Sequence, residues 1–125
     1  MNCLPMSNKK AVPVSYMLIG KTIYTQRCMP CHQVDGAGAQ NMVPPLIKTD
    51  YILGNKARII SIILNGMSGE IEVNGDKYSN EMPPQNFLKD DEIAAVLNYV
   101  RKNFGNTASE VTTAEVKKVR ALNKK

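Results

Sequence analysis

Tryptophan is absent from this 125-residue chain, phenylalanine occurs twice and histidine once. Large aromatics dominate the buried area of most small cores. So poor a stock, five tyrosines aside, fits a core filled in part by something other than side chains. No apolar run approaches the ~20 residues that cross a bilayer, which leaves out a transmembrane segment. No block of lysine and arginine stands in the sequence either. Sixteen basic against eleven acidic residues give a formal charge of +5. That excess is spread along the chain, unlike the clustered charge that clamps nucleic acid. Internal repeats and low-complexity tracts are missing, and there are too few strand-like segments for a parallel sheet. One domain with a modest core remains.

Within it stands Cys28-Met29-Pro30-Cys31-His32. Cys-x-x-Cys-His is the attachment pattern of a c-type haem, and the spacing has a physical reason. Positions i, i+3 and i+4 share one face of a helical turn. Two thiols placed so can add to the two vinyl groups on one porphyrin edge, while the adjoining imidazole reaches the iron. A large, flat, apolar cofactor would also add the buried surface that the side chains lack. With Cys28 and Cys31 so used, Cys3 is left single near the N-terminus. His32 is the sole histidine, so a second iron ligand must be of another kind.

Residues 1–14, with Pro5 and Pro13, read as a flexible arm. Lys9-Lys10 followed by Ala11–Ile19 faintly suggests a secretory signal. The run is short, holds a proline and lacks a small-residue cleavage site. It is expected to be mature sequence of an exported, periplasmic protein whose export signal is not visible here. The main domain is expected over 15–105. A helix from Ser15 places Ile19, Ile23 and Arg27 one turn apart, likewise Gly20, Tyr24 and Cys28, and ends by delivering the motif. A loop over Gln33–Pro45 is punctuated by Gly36, Gly38, Pro44 and Pro45. Asn55–Leu64 predicts a short buried helix stopped by Gly66 and Gly69, although its β-branched run leaves a strand open. Asn74-Gly75 between short alternating segments predicts a hairpin near 71–78. Asp90–Phe104 predicts a helix. Ile93, Val96, Leu97 and Val100 form its apolar stripe, acidic residues fill its first turn, Arg101 and Lys102 its last, and Gly105 stops it. Residues 106–125 form an extension. A helix is predicted there from Thr113 to Leu122 behind a Thr112–Glu115 capping box, followed by a basic tail.

Thioether sulfur is soft and favours ferrous iron, so methionine suits a carrier of electrons. Of seven methionines, Met29 lies inside the motif, Met1 and Met6 in the arm, Met17 at the first helix's start and Met42 on the histidine-side loop. Met67 and Met82 remain. Pro83-Pro84 restrict the backbone after Met82, which puts it ahead of Met67.

Over residues 16–104 the chain resembles the class I cytochrome c family, bacterial type. The attachment motif matches. Gly20 and Tyr24 resemble the small residue and aromatic where the first helix crosses the last, and Val96 and Tyr99 look like their partners. Pro44, in Val43-Pro44-Pro45-Leu46, resembles the proline whose carbonyl accepts a hydrogen bond from the ligating imidazole. Met82, in Glu81-Met82-Pro83-Pro84, resembles the axial methionine. Within the family, Ile71–Gly75 and Ile93–Arg101 look like bacterial cytochromes that partner, or are fused to, periplasmic dehydrogenases and copper nitrite reductases. Lys89 departs from the usual Ser or Asp cap of the last helix, so Asp90 is expected to take that role.

The resemblance implies a mainly α fold around one covalent haem c, bound by Cys28 and Cys31 and ligated by His32 and Met82. It implies a monomeric single-electron carrier without catalysis of its own. Dehydrogenases, reductases or oxidases would be its redox partners. A haem edge ringed by basic residues would speed docking at low salt. Three rivals stand beside it. A thiol oxidoreductase would use Cys28 and Cys31 but wants a parallel sheet. A zinc site of Cys3, Cys28, Cys31 and His32 would force adjacent ligands onto one small ion. The third keeps the haem but leaves the iron open for gas sensing or peroxide chemistry, with Glu81 the available acid–base group.

Overall fold

Helix starts are written into single side chains. Thr49, Asn55 and Thr112 each accept a hydrogen bond from the amide three residues on, at 3.1, 3.0 and 3.1 Å. Such caps satisfy donors that a first turn leaves unpaired. The computed structural model describes residues 14–123. In chain order they form α1 (Val14–Ile23), a π-helical turn (Tyr24–Cys28), α2 (Met29–His32), α3 (Asp50–Leu53), α4 (Lys56–Asn65), β1 (Ile71–Val73), β2 (Asp76–Tyr78), α5 (Asp90–Lys102) and α6 (Thr113–Leu122). The fold is mainly α. Apart from Val14, the expected N-terminal arm lies outside the described residues, and so do Cys3 and the last two lysines.

The hairpin forms where Asn74-Gly75 indicates. β1 and β2 pair antiparallel, with Ile71 opposite Tyr78, and both turn residues take positive φ, 49° and 90°. Asn55–Leu64 resolves as a helix. Ile59, Ile60, Ile63 and Leu64 are all buried, a one-sided pattern of period 3.6 that a strand would split between two faces.

The buried side of α1 is not the one that Ile19 suggests. Ile19 is 48% exposed, while Ile23 and Tyr24 are buried. Gly20 makes the crossing with α5, because a Cβ there would stand 2.3 Å from the Ala95 carbonyl oxygen and 3.0 Å from the Tyr99 Cβ. The partners are therefore Ala95 and Tyr99. Val96, one residue round the helix, turns to the interior cavity instead. Tyr24, Tyr99 and Phe104 close this corner with ring centroids 5.3–5.9 Å apart. Phe104 reaches them because α5 ends at Lys102, short of the expected residue, and Phe104 itself takes φ 59°.

Asp90 does not cap α5. It is the first helical residue, Lys89 holds the cap position, and the Glu92 carboxylate accepts the Lys89 amide at 2.8 Å. Lysine has no acceptor to offer the helix, so only this half of a capping box forms. Asp90 is thereby free to meet Arg120 of α6 at 2.7 Å.

The stretch after Gly105 packs into the same core. Val111, Val116 and Val119 join the cluster built by α1, α4 and α5, whereas Leu122 is 75% exposed. Buried Asn98 exchanges two hydrogen bonds with the Val111 backbone, at 2.7 and 2.8 Å. Arg101, in the last turn of α5, is only 2% exposed. Its guanidinium donates to the Ile52 and Ser109 carbonyls.

Glu115 ties α6 down. Burial raises its pKa, but the amide and hydroxyl of Thr112, with Lys56 3.4 Å away, outweigh that and hold it below the ordinary 4.5. A carboxyl so depressed contributes stability above its unfolded value and loses it as pH falls through the folded one. Acid titration below pH ~4.5 is expected to loosen α6, and Glu115→Gln to flatten that acid limb. Identical acid melting curves for the two proteins would remove the claim.

Candidate functional site

Pro30 shapes the delivery of the motif. It has no N–H to give to the carbonyl four residues back, and its ring crowds that carbonyl. The helix widens into the π turn just before it, over Tyr24–Cys28, a distortion common where side chains must be re-aimed. α2 then carries Cys31 and His32 and stops at Gln33, whose φ is 71°. The Tyr24 hydroxyl donates to the Gln33 carbonyl at 2.6 Å, pinning the end of the motif to the aromatic corner.

His32 is buried, and its Nδ1–H donates to the Pro44 carbonyl at 2.9 Å. With Nδ1 engaged, Nε2 is the nitrogen left to coordinate. Burial lowers the imidazole pKa and the Pro44 bond only partly opposes this, so the ring is neutral near pH 7, the form that binds metal. Burial also pushes the Cys28 thiol up to about 11. Cys31 is exposed.

Cys28, His32 and Pro44 border an interior cavity, the kind of concave, mostly apolar site that cofactors occupy. Its wall is apolar, made chiefly by Ile52, Ile59, Ile63, Val73, Leu97 and Val100, with Thr49 and Tyr51 among its few polar members. Cys28, His32, Pro44, Met67, Ile71 and Met82 also line the opening beyond it, where Cys31 joins them. Met82 is held there from two sides. It pairs with Met67 across an isolated antiparallel bridge, and the Gln85 amide three residues on donates to the Ile63 carbonyl at 2.7 Å. Gly66 permits this approach, since a Cβ at its φ of 73° would lie 2.3 Å from the Met82 oxygen. The five residues singled out in the sequence, Cys28, Cys31, His32, Pro44 and Met82, thus share one site. Arg27, stacked 4.7 Å over Phe87, and Glu81 are the charged groups lining the opening.

The family model described as "Cytochrome c" matches residues 18–104. The chain belongs to the cytochrome c family. It is 40% identical over 111 residues to cytochrome c-552 of Thermus thermophilus, covering 82% of this chain and 84% of that one. It is 29% identical over 103 residues to the cytochrome c subunit of a quinone-dependent alcohol dehydrogenase from Gluconobacter oxydans, and 32% identical over 110 to the fructose dehydrogenase cytochrome subunit of Gluconobacter japonicus. Those alignments cover 81% and 82% of this chain but 22% of each subunit. This cytochrome c is accordingly an electron-transfer protein, and covalently bound haem c is the family's cofactor.

The residues present fit that group. An apolar slot, a buried neutral imidazole with one free nitrogen, two thiols at its rim and thioether sulfur in its wall are the donors and surroundings that a c-type haem takes. The thiol-oxidoreductase rival lacks its parallel sheet: among the described residues the sheet is a single antiparallel pair. Cys3, a ligand of the zinc rival, lies outside the described residues. Two contributors escaped the sequence reading, the π turn and the Met67–Met82 bridge. Pro30 inside the motif was the available sign of the first. Gly66 before Met67 was a weak sign of the second.

Proposed function

We propose that this cytochrome c carries single electrons on one haem held by Cys28 and Cys31, with His32 Nε2 and Met82 Sδ as axial donors. The observation that carries the reading is the His32–Pro44 hydrogen bond in a cavity that Met82 also lines. Bound there, the haem supplies reversible one-electron chemistry at its iron. The chain's own residues do the rest. The Pro44 carbonyl orients the imidazole and makes Nε2 a better donor. The Met67 bridge and the Gln85–Ile63 hydrogen bond hold the Met82 backbone in one place in both redox states, which keeps reorganisation small. The isoleucine and valine wall excludes water. Met42, 59% exposed, and Cys31 leave the opening accessible to a docking protein.

The names of the relatives that are dehydrogenase cytochrome subunits support a dehydrogenase as its redox partner. We place the protein outside the cytoplasm as a monomer. No helix among the described residues is long and apolar enough to cross a membrane.

Optical spectra of the haem-loaded protein, ferric and reduced, with and without carbon monoxide, test the reading. A low-spin spectrum with the weak red band of iron–thioether ligation, unmoved by carbon monoxide, is expected. A high-spin spectrum or a prompt shift would mean an open iron, and Glu81 would then be the group to examine for peroxide chemistry.

A further inference from the structure

Met82 is not the only thioether on the wall beside His32. The Met67 amide donates to the Met82 carbonyl at 3.0 Å, and the Met82 amide to the Met67 carbonyl at 2.9 Å. That is the hydrogen-bonded kind of antiparallel pair, with Cα atoms ~5.5 Å apart and both side chains on one face. Each side chain lines the inner cavity and its opening, as His32 does. A methionine sulfur ends a side chain with three rotatable bonds, so an offset of this size lies within its reach.

The two sulfurs are not equivalent. Met82 packs against the hydrophobic core and is followed by two prolines; Met67 is outside that cluster and is followed by Ser68 and Gly69. Gly69 has φ 86° and open space around it. Fixing Met67 therefore costs more conformational entropy, and Met82 wins while both are present. Met42, the other thioether at the opening, does not line the inner cavity, and the two charged groups there are poor rivals. Arg27 has no lone pair to give, and the carboxylate of Glu81 is a hard ligand for ferrous iron.

We propose that Met67 is a reserve axial donor, whose sulfur would coordinate the haem iron in place of that of Met82 when the latter is lost. The proposal rests on the His32–Met82 reading above. Its consequence is a site that stays closed to small ligands after the first thioether goes, which suits a protein that only passes electrons.

The test compares the haem-loaded intact protein with Met67→Leu, Met82→Leu and the double variant by absorption spectroscopy and carbon monoxide challenge. Circular dichroism and covalent haem staining establish that each is folded and loaded, with Met82→Ala in reserve if Met82→Leu does not mature. Retention of the thioether band in each single variant, with its loss and prompt carbon monoxide binding only in the double, is the expected result. Should Met82→Leu open to carbon monoxide as readily as the double, Met67 is no donor, although the Met82 assignment survives. Should Met67→Leu lose the band and Met82→Leu keep it, the Met82 assignment itself fails, and the reserve role with it. A band persisting in the double would move the sulfur elsewhere, Met42 first, and overturn the proposal.

Discussion

Gly20→Ala is expected to destabilise this cytochrome c by about 3 kcal/mol, the upper end of ordinary overpacking costs. The sign is the informative part. On an exposed helix the same change would stabilise by up to ~1 kcal/mol, because alanine is the better helix former. Here the added methyl would meet the Ala95 carbonyl oxygen at 2.3 Å and its carbon at 2.9 Å. Backbone cannot swing aside as a long side chain can, so α1 must lift from α5. That shift reaches the site, since α1 runs through the π turn into the motif and Tyr24 clamps its end. Against a total stability of ~5–15 kcal/mol, a loss of this size lowers the denaturation midpoint plainly. Denaturant titration of the loaded protein measures it, and a Gly20→Ala variant as stable as its parent would mean that the two helices do not cross here.

Removing both thiols should have the larger consequence for the cofactor. Haem is expected to resist acid–acetone extraction in the intact protein, to resist it less in Cys31→Ser, and to come away entirely in the Cys28→Ala/Cys31→Ala double variant. Acid protonates His32 and frees its iron bond, after which only the thioether links hold. The effect extends to the fold. Emptying the slot leaves its isoleucine and valine wall without packing partners; burial of such side chains contributes about 1.5–3 kcal/mol each, so losing a few of them costs several kcal/mol. That is comparable to the whole stability of a small domain. The extracted double variant should therefore lose its cooperative melting transition. Haem fully retained by the double variant after extraction would refute the attachment assignment.

Much of this molecule is legible locally. The thiol and imidazole spacing, the Asn74-Gly75 turn, the Thr112–Glu115 cap and the α5 stripe each involve residues within a few positions of one another, and a helix or hairpin stands at each. Expectations failed where two distant segments meet. Arg101 stands in the last turn of α5 as expected, but its burial is set by the Ile52 carbonyl, 49 residues away in sequence. Asp90, the expected cap, is taken by Arg120. Val96, expected beside Tyr99 at the crossing with Gly20, gives that place to Ala95 and lines the cavity instead.

The amino-acid sequence by itself determined the chemistry of attachment, one imidazole and a short choice of sulfurs, because these follow from residue type and from spacing within a single turn. The family resemblance already pointed to Pro44 for the His32 ring; tertiary structure alone decided that Gly20 meets Ala95 and that Met67 and Met82 lie side by side in one wall. Those pairings depend on chain closure over many residues, where hydrogen bonds and steric contacts, rather than helical or strand periodicity, select the partner.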